Sequence, residues 1–357
     1  MFKSFILTLA IFLIALDSYS QDTKLRFFSH PGFEYLHHLD SSTGNPYFRG
    51  GPFVIYATSQ IGENVSMGGE VNLHYMTNTG PEIELERIFL KYYYNDYISL
   101  RVGRLYTPIN YWNLNYNFGL ILQPTINRPM PMNPTHDGGF TLNRDAGLQI
   151  EGENIGSARF NYKFFVSNGV GKNGGVMGSN ERMGRSNCYT AQVGAEPADG
   201  LKVFLSGQYH KQLEGALNQY DNPVPEDIDF YTGSVSLVHM SSEKKFEFIG
   251  EYMNTNHKYK TLGHHGIHSA ILYAGFKVTD KFIPYFIHES TNFDFEHIYF
   301  PTENVHTQRP FNSVRNYDLG FRYILNPNIV FKFESGLQFE DRYGMLLNLK
   351  TQLAFAF

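Results

Sequence analysis

One cysteine, Cys188, and one tryptophan, Trp112, stand in a chain of 357 residues. A single thiol excludes an intrachain disulfide framework. After residue 20 no run of about 18 apolar residues occurs, so no helical membrane span is expected. No helical periodicity holds over any long window. The formal net charge of −5 is too mild to draw the chain to nucleic acid. There is no Cys-x-x-Cys, no Gly-x-Ser-x-Gly and no phosphate-cradling glycine loop. The glycine-rich text at 169–175 lacks the spacing and the Ser or Thr of a Walker motif. No cofactor is expected.

Aromatic residues, by contrast, are abundant: 31 Phe and 25 Tyr, with 33 Gly. That excess suits girdles of rings on a bent sheet better than an ordinary soluble core. The last strand is the clearest text. From Met345 to Phe357, Met345, Leu347, Leu349, Thr351, Leu353, Phe355 and Phe357 share one side of an extended chain. Leu346, Asn348, Lys350, Gln352, Ala354 and Ala356 share the other. A two-residue period of this length predicts a membrane β-barrel strand, apolar toward lipid and polar toward the lumen.

The N-terminus fits an exported chain. Lys3 precedes an apolar run from Phe5 to Leu16, followed by Ser18-Tyr19-Ser20. This predicts a secretory signal peptide over 1–20 and a single barrel domain over 21–357. The apolar run is too short for a spanning helix.

About sixteen strands follow from the alternation, at 24–38, 51–61, 64–77, 82–94, 96–107, 144–153, 158–168, 187–196, 200–211, 229–241, 245–256, 267–279, 281–291, 315–325, 329–340 and 345–357. Their connections alternate. Tight turns near 62, 95, 155, 198, 243, 280 and 327 are separated mostly by longer segments, the longest at 108–143. Outer-membrane barrels pair short periplasmic turns with long extracellular loops, so both termini are expected in the periplasm. The segment 82–94 departs from the pattern. Its charges Glu84, Glu86, Arg87 and Lys91 fall on both faces, which predicts a bulge or a subunit interface.

The two-sided reading assigns charges to a wet lumen. Glu70, Lys163, Lys202, Glu247, Asp318, Arg322, Lys332, Glu334 and Lys350 are the candidate pore-lining residues. Cations and anions nearly balance. They would either set a transverse field across the pore or pair along its wall.

The text R-V-G-R-L-Y-T-P-I-N-Y-W (101–112), R-D-A-G-L-Q-I-E-G (144–152) and F-F-V-S-N-G-V-G (164–171), with the signal peptide, the strand number and the terminal Phe, resembles the Gram-negative phosphate-selective porin O and P-like group. The resemblance implies an all-β, antiparallel up-and-down barrel of about 16 strands whose long third extracellular loop folds into the lumen. It implies an outer-membrane, often trimeric channel for passive diffusion of small polar solutes or anions. On it, Arg101, Arg104, Arg128, Asp137, Arg144 and Asp145 are the candidate constriction residues. Partners are then outer-membrane lipid and the barrel-assembly machinery, which would meet the C-terminal strand ending in Phe357.

Two other chemistries have text. His288 and Ser290 lie two apart on one strand face, a spacing in which an imidazole activates a hydroxyl, as in barrel lipid hydrolases and deacylases. The Ser167-Asn168-Gly169 text has Phe165 where a phospholipase-type barrel has its His. His257, His264, His265 and His268 are spaced as metal ligands, but no cysteine or close carboxylate completes a site. A non-conducting structural barrel is the remaining alternative.

Overall fold

A computed structural model describes residues 22–39, 44–76, 80–116, 123–132, 140–169, 187–216, 224–240, 245–261, 263–294, 313–340 and 344–357. The proposed signal peptide and Asp137 lie outside the described residues.

Eighteen β segments form one sheet. They are β1 (Asp22–Ser29), β2 (Gly32–His38), β3 (Gly44–Arg49), β4 (Phe53–Gly62), β5 (Val65–Met76), β6 (Gly80–Asn95), β7 (Ile98–Tyr106), β8 (Arg144–Ile155) and β9 (Phe160–Ser167) in the first half. The second half holds β10 (Cys188–Ala198), β11 (Leu201–Gln212), β12 (Ile228–His239), β13 (Phe246–Tyr259), β14 (His264–Phe276), β15 (Phe282–Phe293), β16 (Ser313–Asn326), β17 (Ile329–Glu340) and β18 (Gly344–Ala356).

Two barrel strands are each broken in two. β1 and β2 are one strand interrupted at His30-Pro31, and both pair with β18. β3 and β4 are its neighbour, interrupted at Gly50-Gly51-Pro52. The breaks face each other. A Cβ at Gly51, which has φ +70°, would lie 2.7 Å from the His30 carbonyl carbon. Only glycine serves there. The eighteen segments therefore make sixteen antiparallel strands. Each pairs with its successor, and the last pairs with the first, so the sheet has no free edge.

Closure sends alternate side chains inward or outward. On β12, Thr232, Ser234 and Ser236 are buried inside, while Tyr231, Val235 and Leu237 are exposed outside. On β18, Asn348, Lys350 and Gln352 are inside. The outer surface is apolar: Leu319 is 66% exposed and Leu205 61%. Rings gather outward toward the short-turn end, at Tyr92, Tyr94, Tyr97, Phe246, Phe276 and Phe357. So much exposed apolar surface marks a wall that meets something other than water.

Against β5, the ladder of β6 is regular except at one point. Glu70 of β5 faces Arg87, but Val71 faces Leu85, so Glu86 is an extra residue in the ladder. This bulge resolves the mixed charges of 82–94. Glu84 precedes it, Glu86 is the extra residue, Arg87 and Lys91 follow it, and Ile83, Leu85, Ile88 and Leu90 all remain exposed outside.

β13 and β14 differ from expectation in length. They run on to Tyr259 and start at His264, where the alternation predicted strand ends at 256 and 267. The outward residues there are Asn256, Lys258 and His264, which are polar. An apolar-out pattern stops where the outer face stops being apolar, although the hydrogen-bond ladder continues.

Candidate functional site: the inner wall and the long connection

The inner wall is a set of paired charges. Glu70 Oε2 accepts from Arg87 Nε at 2.6 Å, and Arg87 also lies over the rings of Tyr56 and Tyr106. Glu151 receives Lys91 at 2.6 Å, Arg101 at 2.9 Å and Lys163 at 3.4 Å. Lys163 also reaches Glu153 at 2.6 Å. Arg144 bridges Glu84 and Glu86. Glu247 takes Arg322, Lys277 at 3.6 Å and the Tyr273 hydroxyl at 2.8 Å. Glu334 and Lys350 stand 4.0 Å apart. Buried charges need such partners.

The remaining predicted residues also have places. Lys202 is half-buried on the inner face of β11, and Asp318 is buried on β16. Asp145 accepts the backbone N–H groups of Ala146 at 2.7 Å and Gly169 at 2.6 Å. Arg104 sits apart from the inner-wall pairs. It is opposite outward-facing Ile88, and its Nε donates to the Glu86 carbonyl at 3.1 Å.

The connection between β7 and β8 starts from a tight neck. Thr107 N–H donates to the Asn143 carbonyl at 3.0 Å. Asn113 Nδ2 donates to both ends, to the Thr107 carbonyl at 2.8 Å and the Asn143 carbonyl at 2.7 Å. Asn110 caps the short helix α1 (Tyr111–Asn115), accepting from Asn113 N–H at 2.8 Å.

Beyond the neck, described residues of the connection bond to inward side chains of distant strands. Glu251 on β13 accepts Tyr111 N–H at 2.9 Å and Trp112 N–H at 3.3 Å, and takes the Ser236 hydroxyl at 2.6 Å. Glu289 on β15 accepts Met130 N–H. Glu334 on β17 accepts Ile126 N–H at 2.7 Å. Lys332 Nζ donates to the Thr125 carbonyl at 3.1 Å, and Arg49 Nη1 to Asn127 Oδ1 at 3.2 Å. Ile109, Tyr111, Trp112, Tyr116, Met130 and Phe140 share a core with inward Phe230, Ile249, Met253, Ile267 and Tyr285. Trp112 is 1% exposed. Burial pushes the Tyr111 and Tyr116 phenols above their ordinary range. Arg128 is half-buried.

Sequence reasoning missed three things here. Glu84 and Glu86 were not expected to hold Arg144. Glu289, between His288 and Ser290 in the chain, drew no expectation, whereas strand alternation turns it to the inner face, where it accepts the Met130 N–H. The inward apolar patch under Trp112 breaks the polar-inside rule, and its signal was present in Ile228, Phe230, Ile249 and Ile267.

Of the competing motifs, the histidine cluster comes apart, while His288 and Ser290 share one strand face as expected. His288 and Ser290 face outward; the His288 ring stacks on Tyr317 at 4.5 Å, and its Nδ1 lies 3.1 Å from the Asn316 carbonyl. His257 and His265 are cross-strand neighbours on the inner face, while His264 and His268 point outside. The four imidazoles do not converge. Among the described residues no group of three or more His, Cys, Asp or Glu is arranged to hold a metal.

No family model and no curated protein matches this chain. Solved structures do match, over nearly their whole length. The anion-selective porin of Comamonas acidovorans superposes with a TM-score of 0.68 at 12% identity, covering 94% of this chain and 99% of that one. Salmonella typhi OmpF, solved with daunomycin, gives 0.66 at 12% identity, covering 96% and 99%. The trimer form of OmpT, an outer membrane protein of Vibrio cholerae, gives 0.62 at 12% identity, covering 94% and 100%. The fold of this chain is that of the bacterial outer-membrane porins and channels.

Proposed function

We propose that the chain is an outer-membrane porin: a water-filled channel for passive diffusion of small polar or charged solutes. The observation that carries this is a closed sheet of sixteen strands, apolar outside and lined inside by paired charges. A soluble protein would not leave Leu205, Leu319 and their neighbours exposed, and a lipid-filled core would not hold Glu151 among three cations. Residues 1–20 act as the signal peptide, and Phe357 ends the strand that the assembly machinery recognises.

The connection 107–143 narrows the passage. Its bonds to Glu251, Glu289, Glu334 and Lys332 support a segment lying across the lumen, with Arg101, Arg128, Arg144 and Asp145 near its path. The paired walls support weak ion selectivity. Kinship with the phosphate-selective porin O and P-like group rests on the 101–112, 144–152 and 164–171 text, and a trimer rests on the likeness to trimeric barrels. Reversal potentials in a tenfold potassium chloride gradient test the selectivity. A magnitude well below the Nernst limit is expected; a value near that limit for either ion would overturn the paired-wall reading.

A further inference from the structure

The outer wall of β10 to β13 contains a trough where an apolar surface would ordinarily be filled. Ala191, Gly207 and Gly233 are successive cross-strand neighbours in one outward row. Above them, toward the long-connection end, Tyr189, Tyr209 and Tyr231 form a ledge of successive rings, 6.5 and 5.1 Å between centroids. Below them lie Val193, Leu205 and Val235. The trough, open to the outside, has a volume of about 450 Å³.

Neither glycine is required by the chain itself. A Cβ at Gly233 would meet nothing within 4 Å, and one at Gly207 only the Thr232 carbonyl oxygen at 3.9 Å. Glycine within a strand weakens it relative to alanine, and its use there marks close approach by something else.

The same row leads into hydrogen-bonding groups. Gly233 neighbours Asn254, then His268, then Asn292. Asn254 Nδ2 donates to His268 Nδ1 at 2.9 Å, and the Tyr252 hydroxyl reaches the same nitrogen at 3.1 Å. Ser290 and Arg315 are the adjoining outward pair. Among the described residues Arg315 is exposed and forms no ion pair. Asp294, the outward carboxylate at the end of β15, accepts the Gly266 backbone N–H. Cross-strand neighbours lie about 5 Å apart and diagonal ones about 7–8 Å, so one phosphate can meet Arg315, Ser290, Asn292 and His268 together. Arg315 is two residues from the long-connection end of β16, where an outward arginine costs little and anionic headgroups begin.

We propose that this site binds one phosphorylated glycolipid of the outer leaflet, an acyl chain in the trough and a phosphate over Arg315, Ser290, Asn292 and His268. The proposal rests on the reading of the chain as a membrane barrel. Charge complementarity selects the phosphate. The tyrosine ledge, with Asn256 and His264 beside it, offers ring faces and hydrogen bonds to a sugar.

The test is native mass spectrometry of the full chain in detergent, titrated with hexa-acylated diglucosamine bisphosphate. One bound lipid per chain is expected. Gly207→Leu with Gly233→Leu should fill the trough and weaken binding at least tenfold. Arg315→Gln should weaken it about tenfold, and the dephosphorylated probe should bind wild type about as poorly as the intact probe binds that variant. The arginine variant and the probe comparison need no change to the trough, so they decide the matter if the leucine variant does not fold. Undiminished binding in the folded variants, equal affinity for the dephosphorylated probe, tighter binding of phosphatidylglycerol, or a protein dimer that the leucines abolish would each overturn the proposal. Channels without bound glycolipid overturn it and leave the porin reading standing. Bound glycolipid on a chain that opens no channel does the reverse.

Discussion

Asn113 ties both ends of the long connection with one carboxamide. Asn113→Ala removes one of two donors from each of two carbonyls, which keep the Ile109 and Thr107 N–H groups, and should cost about 1–2 kcal/mol in denaturant unfolding of the detergent-folded protein. A change below about 0.5 kcal/mol would mean that the neck is held by other groups. Glu70 and Arg87 pose a different case, because the carboxylate is buried and its partner is not interchangeable. Arg87→Ala alone should cost about 3 kcal/mol, and adding Glu70→Gln should recover more than half of that. Equal losses in the single and double variants would show that the pair is not coupled.

At the level of the strand, the Glu86 bulge decides which side each charge takes. Removing Glu86 leaves Glu84 and Arg87 inside and Ile88 outside, since Glu86 is the one residue of β6 that the ladder with β5 skips. The deletion variant should therefore still assemble, with heat-modifiable gel migration and sheet-type circular dichroism, while Arg144 loses one carboxylate. Failure to assemble would contradict this register. The bulge also shows how far sequence reading reaches. Alternation found the strands because lipid-facing and lumen-facing positions differ so sharply in polarity. It flagged β6 because charges fell on both sides. It ran past the His30-Pro31 break because the flanking residues keep their alternation, although Pro31 and Gly50-Gly51-Pro52 marked it. It ended β13 and β14 early because their outer faces turn polar before the ladder ends. The pairing of Arg144 with Glu84 and Glu86, some 60 residues away, had no local signal at all.

For the molecule as a whole, the central claim is that a cylinder of sixteen strands encloses a hydrated passage narrowed by the connection 107–143. Trp112, the chain's one tryptophan, reports on that connection. At 1% exposure it should emit at short wavelength and resist iodide quenching, and Glu251→Ala should increase quenching by freeing the Tyr111 and Trp112 amides. Quenching that is already efficient in the wild type would place the ring elsewhere. The most direct measurement is single-channel recording in planar bilayers, comparing the wild type with a variant in which residues 114–142 are replaced by a short Gly-Ser turn. Discrete openings in both, with the larger conductance in the variant, are the predicted result; equal conductance, or a wild type that never opens, would contradict the account.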